Sequence, residues 1–371
     1  GFAAPIAAAC IALGTYFSHS LQISNVMVAG MEVPISKVIA VNALLLLTIL
    51  QLVSKKIGAI FQNISTTFKI AIVVIICSLG FFFMDGNVIT QSFGGGIKWP
   101  ELVSGPFFIS LFFVSYAYSG WNASAYIAGE IENPKKNIPR SLILGTLIVT
   151  VLYILLNLAF MLVLPFDSIK GQEDVGRIFA TRIFGGIVGG GIGLVISFLL
   201  VSSISSMIIT GPRVTRSMGE DHALFKWFSK ATATEVPQRA ILVQSLISLI
   251  FILTSSFQSV IVFIGFTLNI FTLLTVFGLF ILRIQDKKTS SANGVYNASS
   301  TGSDYDASST GGGYKVFGYP FVPIIFVLIY LFMLGYGLIQ RKEWSFLGWT
   351  FDWRLRLEPL IGLGFAVVGV L

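Results

Sequence analysis

Polar side chains interrupt one long apolar stretch of the sequence and could bind a small ligand there. The run over residues 105–140, GPFFISLFFVSYAYSGWNASAYIAGEIENPKKNIPR, begins as an apolar helix. Hydroxyl, amide and glycine residues then crowd together at Ser115, Tyr116, Tyr118, Ser119, Gly120 and Asn122. Eleven helical residues reach roughly 16 Å, about half of a ~30 Å hydrocarbon core. Backbone without helical hydrogen bonds is costly at that depth unless it lines a cavity, so the break predicts a midplane binding site. A kinked but closed helix is the alternative.

One charged side chain lies deep inside another apolar segment. Lys69 follows the inner boundary near Ile57 by twelve residues, which places its Cα roughly 18 Å into the bilayer. A lysine there costs about 2.5–3.5 kcal/mol on insertion and marks a functional site by default. The alternative is a structural lysine bonded to carbonyls at a helix end. A third segment carries four hydroxyls that are predicted to face a polar interior: Ser202, Ser203, Ser205 and Ser206.

The elements that position these residues are membrane spans. Of 371 residues, 55% are hydrophobic and 11% are charged, whereas an average soluble domain carries about 25% charged residues. Most of the apolar segments have the length that a spanning helix needs, and the last is shorter. Ten segments are predicted, at 1–21, 35–54, 57–84, 104–129, 141–164, 184–211, 238–255, 258–283, 319–340 and 359–371. Because the sequence opens and closes inside apolar segments, we expect a fragment of a longer protein.

The net charge of +7 does not indicate nucleic-acid binding. Alternating the spans from a cytoplasmic Gly1 places fourteen Lys and Arg residues inside and nine outside, with Lys69 within a span. This excess follows the positive-inside rule. Residues 85–103 and 165–183 are then external loops, and residues 217–230 form an amphipathic helix on the inner surface. Cys10 and Cys77 are predicted to be packing residues without a disulfide.

The distribution of acids and histidines argues against an enzyme. All seventeen acidic residues fall in loops or at span ends, and there are only two histidines, His19 and His222. A metalloprotease or a carboxylate-paired hydrolase needs clustered ligands or acids at depth. We expect no metal and no cofactor, and His19 is assigned no role. A channel stays open as the other rival, although channel filters usually draw on symmetric copies.

Four runs resemble the amino acid–polyamine–organocation permeases, closest to the branch of L-type amino-acid exchangers and their bacterial relatives. They occur in the family's order and cover most of the chain: GAIFQNISTTFKI (58–70), AYSGWNASAYIAGEIENPKKNIPRSL (117–142), ITGPRVTRSMGEDHALFKWF (209–228) and GFTLNIFTLLTVFGLFILR (265–283). The resemblance implies an all-α integral membrane protein with the LeuT-type inverted-repeat bundle, N-terminally truncated, with about ten helices present.

This map divides the chain into four parts. Residues 1–84 are the remainder of the first repeat (helices 3–5), and residues 104–283 are the second repeat (helices 6–10). Residues 284–318, rich in Ser, Gly and Asn, are predicted to be a disordered cytoplasmic linker. Residues 319–371 hold helices 11 and 12, the last one truncated. The family's first-helix motif, whose amides hold the substrate carboxylate, is not in these residues.

The resemblance also implies the site. The substrate would be an amino acid, bound through its ammonium group at the broken helix; the site residues are Tyr116, Ala117, Ser119, Gly120, Trp121 and Asn122. Tyr116 would be an aromatic gate. Lys69 matches a lysine that replaces the coupling sodium ion in sodium-independent members, with Ser203 and Ser205 as its candidate neighbours, and it could lose a proton during the cycle.

A neutral substrate is expected because no acidic residue lies at depth, and Asn122 stands where some acid-responsive relatives carry Glu. A polyamine or cationic amino-acid permease is the alternative. Exchange and proton symport both stay open, so protons are a second candidate partner beside the amino acid and the lipid bilayer. The resemblance implies a multi-pass protein of the plasma membrane.

Overall fold

The computed structural model describes residues 2–28, 31–53, 58–93, 105–120, 131–221, 223–228, 237–296, 318–339, 342–346 and 349–353. This part of the chain is helical apart from turns and two hairpins. Its α-helices are α1 (Ala3–Leu21), α2 (Ile35–Val53), α3 (Gly58–Phe82), α4 (Gly86–Phe93), α5 (Gly105–Ala117), α6 (Pro134–Val163), α7 (Phe166–Ile169), α8 (Val175–Phe184), α9 (Gly186–Asp221), α10 (Gln238–Thr254), α11 (Phe257–Tyr296) and α12 (Phe321–Ile339). A 3₁₀ helix covers Ala223–Phe228.

Two short antiparallel hairpins accompany the helices. Strand β1 (Asn25–Val28) pairs with β2 (Met31–Pro34) between α1 and α2, with Val26 opposite Val33. Strand β3 (Lys342–Phe346) pairs with β4 (Trp349–Trp353) after α12. The predicted all-α class is confirmed, since these hairpins are appendages of helices.

Six helices in the described ranges are long and apolar enough to cross a membrane, and two more are apolar but shorter. The six windows are Ala3–Leu21, Ile35–Leu52, Ile64–Phe82, Lys136–Val163, Gly186–Glu220 and Phe257–Ile284, and the shorter helices are Gln238–Thr254 and Phe321–Tyr336. On α6 the exposed large side chains recur at helical spacing at Ile143, Leu144, Leu147, Ile148, Val151 and Ile154. An apolar stripe of this kind suits lipid tails.

The chain forms two compact units. The first comprises residues 1–99 and 118–261, and the second comprises residues 100–117 and 262–371. These units do not follow the boundaries of the predicted repeats. A repeat is defined by the order of its helices and a compact unit by the contacts between them, so the division into repeats stays a prediction.

Helix α1 is the centre of the first unit. Its buried residues pack with α2, α9 and α10 in one apolar cluster: Ile6, Ala7, Ala9, Cys10, Leu13, Ala40, Leu44, Leu47, Ile204, Ile208, Ile241 and Ile252. Gly14 permits a close approach of α1 to α2, since a Cβ there would stand 2.0 Å from the carbonyl oxygen of Ser36. Small residues let membrane helices approach closely, which explains the central place of α1.

Several predicted boundaries are wrong. Helix α6 begins at Pro134, with Pro139 inside it, instead of at residue 141. Proline suits the first helical position, and Pro139 lies close enough to the start to cost few hydrogen bonds. Residues 86–93 form α4 inside a predicted loop, and α7 and α8 lie in the loop predicted at 165–183.

Two further corrections concern the cytoplasmic segments. Helix α9 continues past Pro212 to Asp221, so residues 217–221 of the amphipathic segment predicted at 217–230 are the end of α9, and residues 223–228 form the 3₁₀ helix. Helix α11 continues to Tyr296, so residues 284–296 of the predicted disordered linker are helical. Gln285, Lys287 and Lys288 are good helix formers that extend an existing helix at little cost. The rest of the predicted linker, 297–317, and the helix predicted at 359–371 lie outside the described residues.

Candidate functional site

The predicted break in the sixth helix lies where the two compact units meet in sequence. Helix α5 ends at Ala117, and Tyr118–Gly120 form a turn. Gly120 has φ +97°, a backbone conformation that favours glycine, so its residue type suits the turn that follows the helix. Ala117 closes a segment of the second unit, and Tyr118 opens a segment of the first. Trp121 and Asn122 lie outside the described residues.

Just before the break, α5 is held tightly by α11. Phe112 is fully buried against Phe266, and a Cβ at Gly265 would lie 2.9 Å from the Phe112 carbonyl oxygen. The Ser115 hydroxyl donates a hydrogen bond to the Asn269 side-chain oxygen in α11. Asn269 is 1% exposed, so this polar pair is inside the second unit. The half-buried Tyr116 is the next residue, so its backbone belongs to a part of α5 that is held in place by these contacts.

Tyr118, the first residue after α5, contacts α6. Its ring meets that of Tyr153 edge to face, with 5.3 Å between the ring centroids. Ser119 and Gly120 are exposed. Aromatic pairs in this geometry are favourable, so the beginning of the break is anchored by a specific contact.

Lys69 is bonded by hydroxyls from α9. Its Nζ donates to the Ser203 Oγ at 2.8 Å and to the Ser202 Oγ at 3.2 Å. Within the described residues, no carboxylate forms an ion pair with this ammonium group. Ser202 is fully buried, so the lysine reaches into the interior of the first unit. In the part of the chain that the structure describes, the contacts are side-chain hydroxyls and not carbonyls at a helix end.

The structure brings Ser203 to Lys69 but not Ser205. The Ser205 Oγ instead accepts a hydrogen bond from the Gln51 amide of α2 at 2.6 Å. Ser205 lies almost one helical turn beyond Ser202, about 4.5 Å further along the axis, which takes it out of reach of the ammonium group. Ser202, which was not assigned to the site, takes its place. Three of the four serines predicted to face a polar interior thus bond side chains of other helices.

A charged cluster at the C-terminal end of α1 could not be predicted from the sequence. The His19 Nδ1 lies 2.9 Å from the Asp174 Oδ2, and the Arg177 Nε donates to the same oxygen. The Thr15 hydroxyl lies 3.1 Å from the Glu173 Oε2. Burial raises the pKa of the Glu173 carboxyl above its ordinary value, and the Thr15 contact opposes this shift. The sequence does not reveal this cluster, because His19 and Asp174 are 155 residues apart and no sequence motif contains both.

Neither cysteine forms a disulfide, and both are buried, in agreement with the prediction. In the described part of the chain, no group of three or more His, Cys, Asp or Glu side chains could hold a metal ion.

The fold and sequence together define the class of protein: a multi-pass membrane protein of a transporter family. The sequence profile described as Amino acid permease matches residues 1–350, and the chain belongs to this family. The resemblance found in the sequence is confirmed.

Individual relatives are similar over most of this chain. The b(0,+)-type amino acid transporter 1 of Mus musculus is 25% identical over 89% of this chain and 63% of its own length. The serine/threonine exchanger SteT of Bacillus subtilis is 28% identical over 88% of this chain and 69% of its own. A low-affinity methionine permease of Saccharomyces cerevisiae is 28% identical over 68% of this chain and 49% of its own. The chain thus spans less than two thirds of the length of the b(0,+)-type transporters that it matches.

Proposed function

We propose that the protein carries amino acids across the plasma membrane by alternating access, as a sodium-independent exchanger. The observation that carries this proposal is the family match over residues 1–350. Two relatives are named for amino-acid transport and for exchange, which supports exchange over proton symport and a transporter over an enzyme or a channel.

The proposed substrate is a neutral amino acid. The relatives include a serine/threonine exchanger and a methionine permease, whose substrates are neutral. A cationic side chain buried in the membrane needs a counter-charge. The sequence has no acidic residue at depth to supply one, which argues against the polyamine and cationic alternatives.

The broken sixth helix is the proposed binding element. Backbone carbonyls near Tyr116, Ala117 and Ser119 would receive the substrate ammonium group, since carbonyl oxygens at unwound helix ends suit a cation in a dry site. Gly120 would supply the turn, and the three aromatic or amide residues of the site, Tyr116, Trp121 and Asn122, would surround the side chain. The support is the end of α5 at Ala117 and the left-handed conformation of Gly120.

Lys69 is the proposed built-in cation that takes the place of a coupling sodium ion. The hydroxyl oxygens of Ser202 and Ser203 already accept hydrogen bonds from its ammonium group, so they do not need a sodium ion as a partner. A lysine that can exchange its proton also offers a route to pH dependence. Ser205 supports α2 through Gln51 and has a positioning role in this scheme.

Uptake into proteoliposomes tests the proposal. Labelled serine or leucine should accumulate when sodium is replaced by choline, and arginine or putrescine should compete less well than alanine. A strict requirement for sodium, or stronger competition by arginine or putrescine, would contradict it.

A further inference from the structure

The charged cluster at the end of α1 has no part in the proposed transport site. It consists of His19 and Thr15 on α1 and of Glu173, Asp174 and Arg177 at the start of α8. The positive-inside rule assigns this end of the first unit to the outside. The loop before α8 is bonded to α1 at two points, the Thr15–Glu173 and His19–Asp174 contacts.

Asp174 is the buried centre of the cluster. Its side chain is 0% exposed, and its contacts with His19 and Arg177 both fall on Oδ2. Oδ1 has no hydrogen-bond partner among the described residues. Asp174 occupies the N-cap of α8 but makes none of the usual capping bonds to the helix N–H groups. A buried carboxylate paired so incompletely is costly, and a second positive charge beside it would stabilise it.

The cluster is one positive charge short of neutrality. Glu173 and Asp174 supply two carboxylates, and Arg177 supplies one permanent cation. The remaining charge can come from a proton on His19, whose side chain is 47% exposed and open to solvent. Histidine changes its charge between about pH 5 and 8.

Glu173 offers the second place for the proton. The Thr15 hydroxyl has one hydrogen but two acceptors at 3.1 Å, the Ile11 carbonyl oxygen and the Glu173 Oε2. A protonated Glu173 would donate to the Thr15 oxygen, which leaves the Thr15 hydrogen for Ile11 and satisfies all three groups. Burial raises the pKa of Glu173, so the protonated form is favoured where the loop is closed on α1.

Other charged groups near α1 are engaged elsewhere. Glu32 of β2 accepts from Asn25 of β1. Lys37 of α2 donates to the Leu253 carbonyl oxygen of α10. The outer half of α9 presents glycines to this end of α1, with Gly190 and Gly193 against Ser20.

We propose that this cluster is a proton-binding latch, in which one proton shared by His19 and Glu173 fastens the loop before α8 to the end of α1. A Glu173 with a raised pKa favours the closed latch at low pH, and a proton on His19 places a positive charge beside Asp174. The contribution of Glu173 is fully present below the ordinary pKa of glutamate and is lost as the pH rises through the raised pKa of the closed latch.

Labelling of a buried cysteine reports the latch without any need for transport. Ser18 is 3% exposed and lines a cleft of about 560 Å³ together with Gln172 and Arg177, so Ser18→Cys should react faster with an impermeant maleimide when the loop lifts. Gln172→Cys, which is exposed, serves as the reference for the effect of pH on thiol reactivity. The native cysteines are both buried.

The normalised labelling of Ser18→Cys should fall roughly threefold or more from pH 7.5 to 5.5, within the tenfold per pH unit that one linked proton permits. Glu173→Gln should keep it low at both pH values, because the amide imitates the protonated acid. The double variant with His19→Gln and Glu173→Gln should show no pH dependence. Glu32→Gln, an exposed acid outside the cluster, should behave as the parent does.

Equal normalised labelling at both pH values, or a pH dependence that survives in the double variant, would overturn the latch. Should Ser18→Cys fold poorly, hydrogen exchange of α8 amides in the unmodified protein provides the same test. After correction for intrinsic rates, exchange should slow at pH 5.5 in Val175–Phe184 and not in Gln238–Thr254. Equal protection of α8 at the two pH values would again overturn it.

Discussion

At the scale of single residues, the feature most relevant to the proposed function is the set of hydroxyl partners around the Lys69 ammonium group. Hydroxyl groups can accept from an ammonium group but cannot cancel its charge. A protonated Lys69 therefore has no cancelling negative charge among its described partners, and in the proposed scheme that charge is available to a second, movable partner. This property is what the proposed replacement of a sodium ion requires.

Lys69→Ala should lower uptake more than tenfold, because hydrogen bonds to a charged group are each worth about 1.5–3 kcal/mol. Lys69→Met keeps the length of the side chain and should fail equally if the charge is what matters. Lys136→Ala, at an exposed position near the start of α6, is the matched control and should transport normally. Initial rates in proteoliposomes measure all three. Full activity of Lys69→Met would show that only packing is needed at this position.

Tyr116 is expected to gate the site through its ring and not its hydroxyl. Tyr116→Phe should therefore keep most of the uptake rate, whereas Tyr116→Ala should lose roughly two- to tenfold more, as the value of an aromatic contact implies. Surface expression of both variants is measured in parallel. Equal losses of uptake in the two variants would argue against a gate.

The sequence predicted part of the candidate site and missed part for physical reasons. The depth of Lys69 and the crowding of serines are local properties, so their meeting could be anticipated. Which serine faces the lysine depends on the rotation of α9 against α3, and for this reason Ser202 replaced Ser205. His19 and Asp174 meet only because the loop folds back on α1.

At the scale of secondary structure, small residues determine which helices touch. Gly14 lies against the Ser36 backbone, and Gly80 lies against Ala159, where a Cβ would be 2.3 Å from the alanine Cβ. These contacts place α2 on α1 and α6 on α3. Helix ends were harder to predict, because the apolar pattern stops at the predicted span boundaries whereas α6 and α11 continue as helix through the polar residues 134–140 and 285–296.

Gly14→Ala should destabilise the protein although alanine is the better helix former. The added Cβ would meet a backbone carbonyl, and overpacking of this kind costs about 1–3 kcal/mol. Gly145→Ala is the matched control, since nothing lies within 4 Å of its Cβ. At this position alanine should leave the thermal unfolding midpoint in detergent unchanged or raise it, because the better helix former adds up to about 1 kcal/mol to the free energy of unfolding. Equal midpoints for the two variants would contradict the close approach of α1 and α2.

At the scale of the whole molecule, composition sufficed to identify a membrane protein, and ordered motifs sufficed to identify its family. The long apolar segments and the asymmetry of Lys and Arg are averaged properties that survive local errors. In the proposed transporter, the choice of amino acid would depend on a few side-chain contacts around the broken helix, and averaged properties do not report those contacts.

Exchange without sodium is the central claim, and counterflow tests it most directly. Proteoliposomes loaded with unlabelled serine, or left empty, are placed in labelled serine with choline in place of sodium. Loading should accelerate the uptake of label, because the binding site of an exchanger turns back to the outer face only with substrate bound. Uptake that is indifferent to the internal amino acid, or that appears only when sodium is restored, would contradict the account.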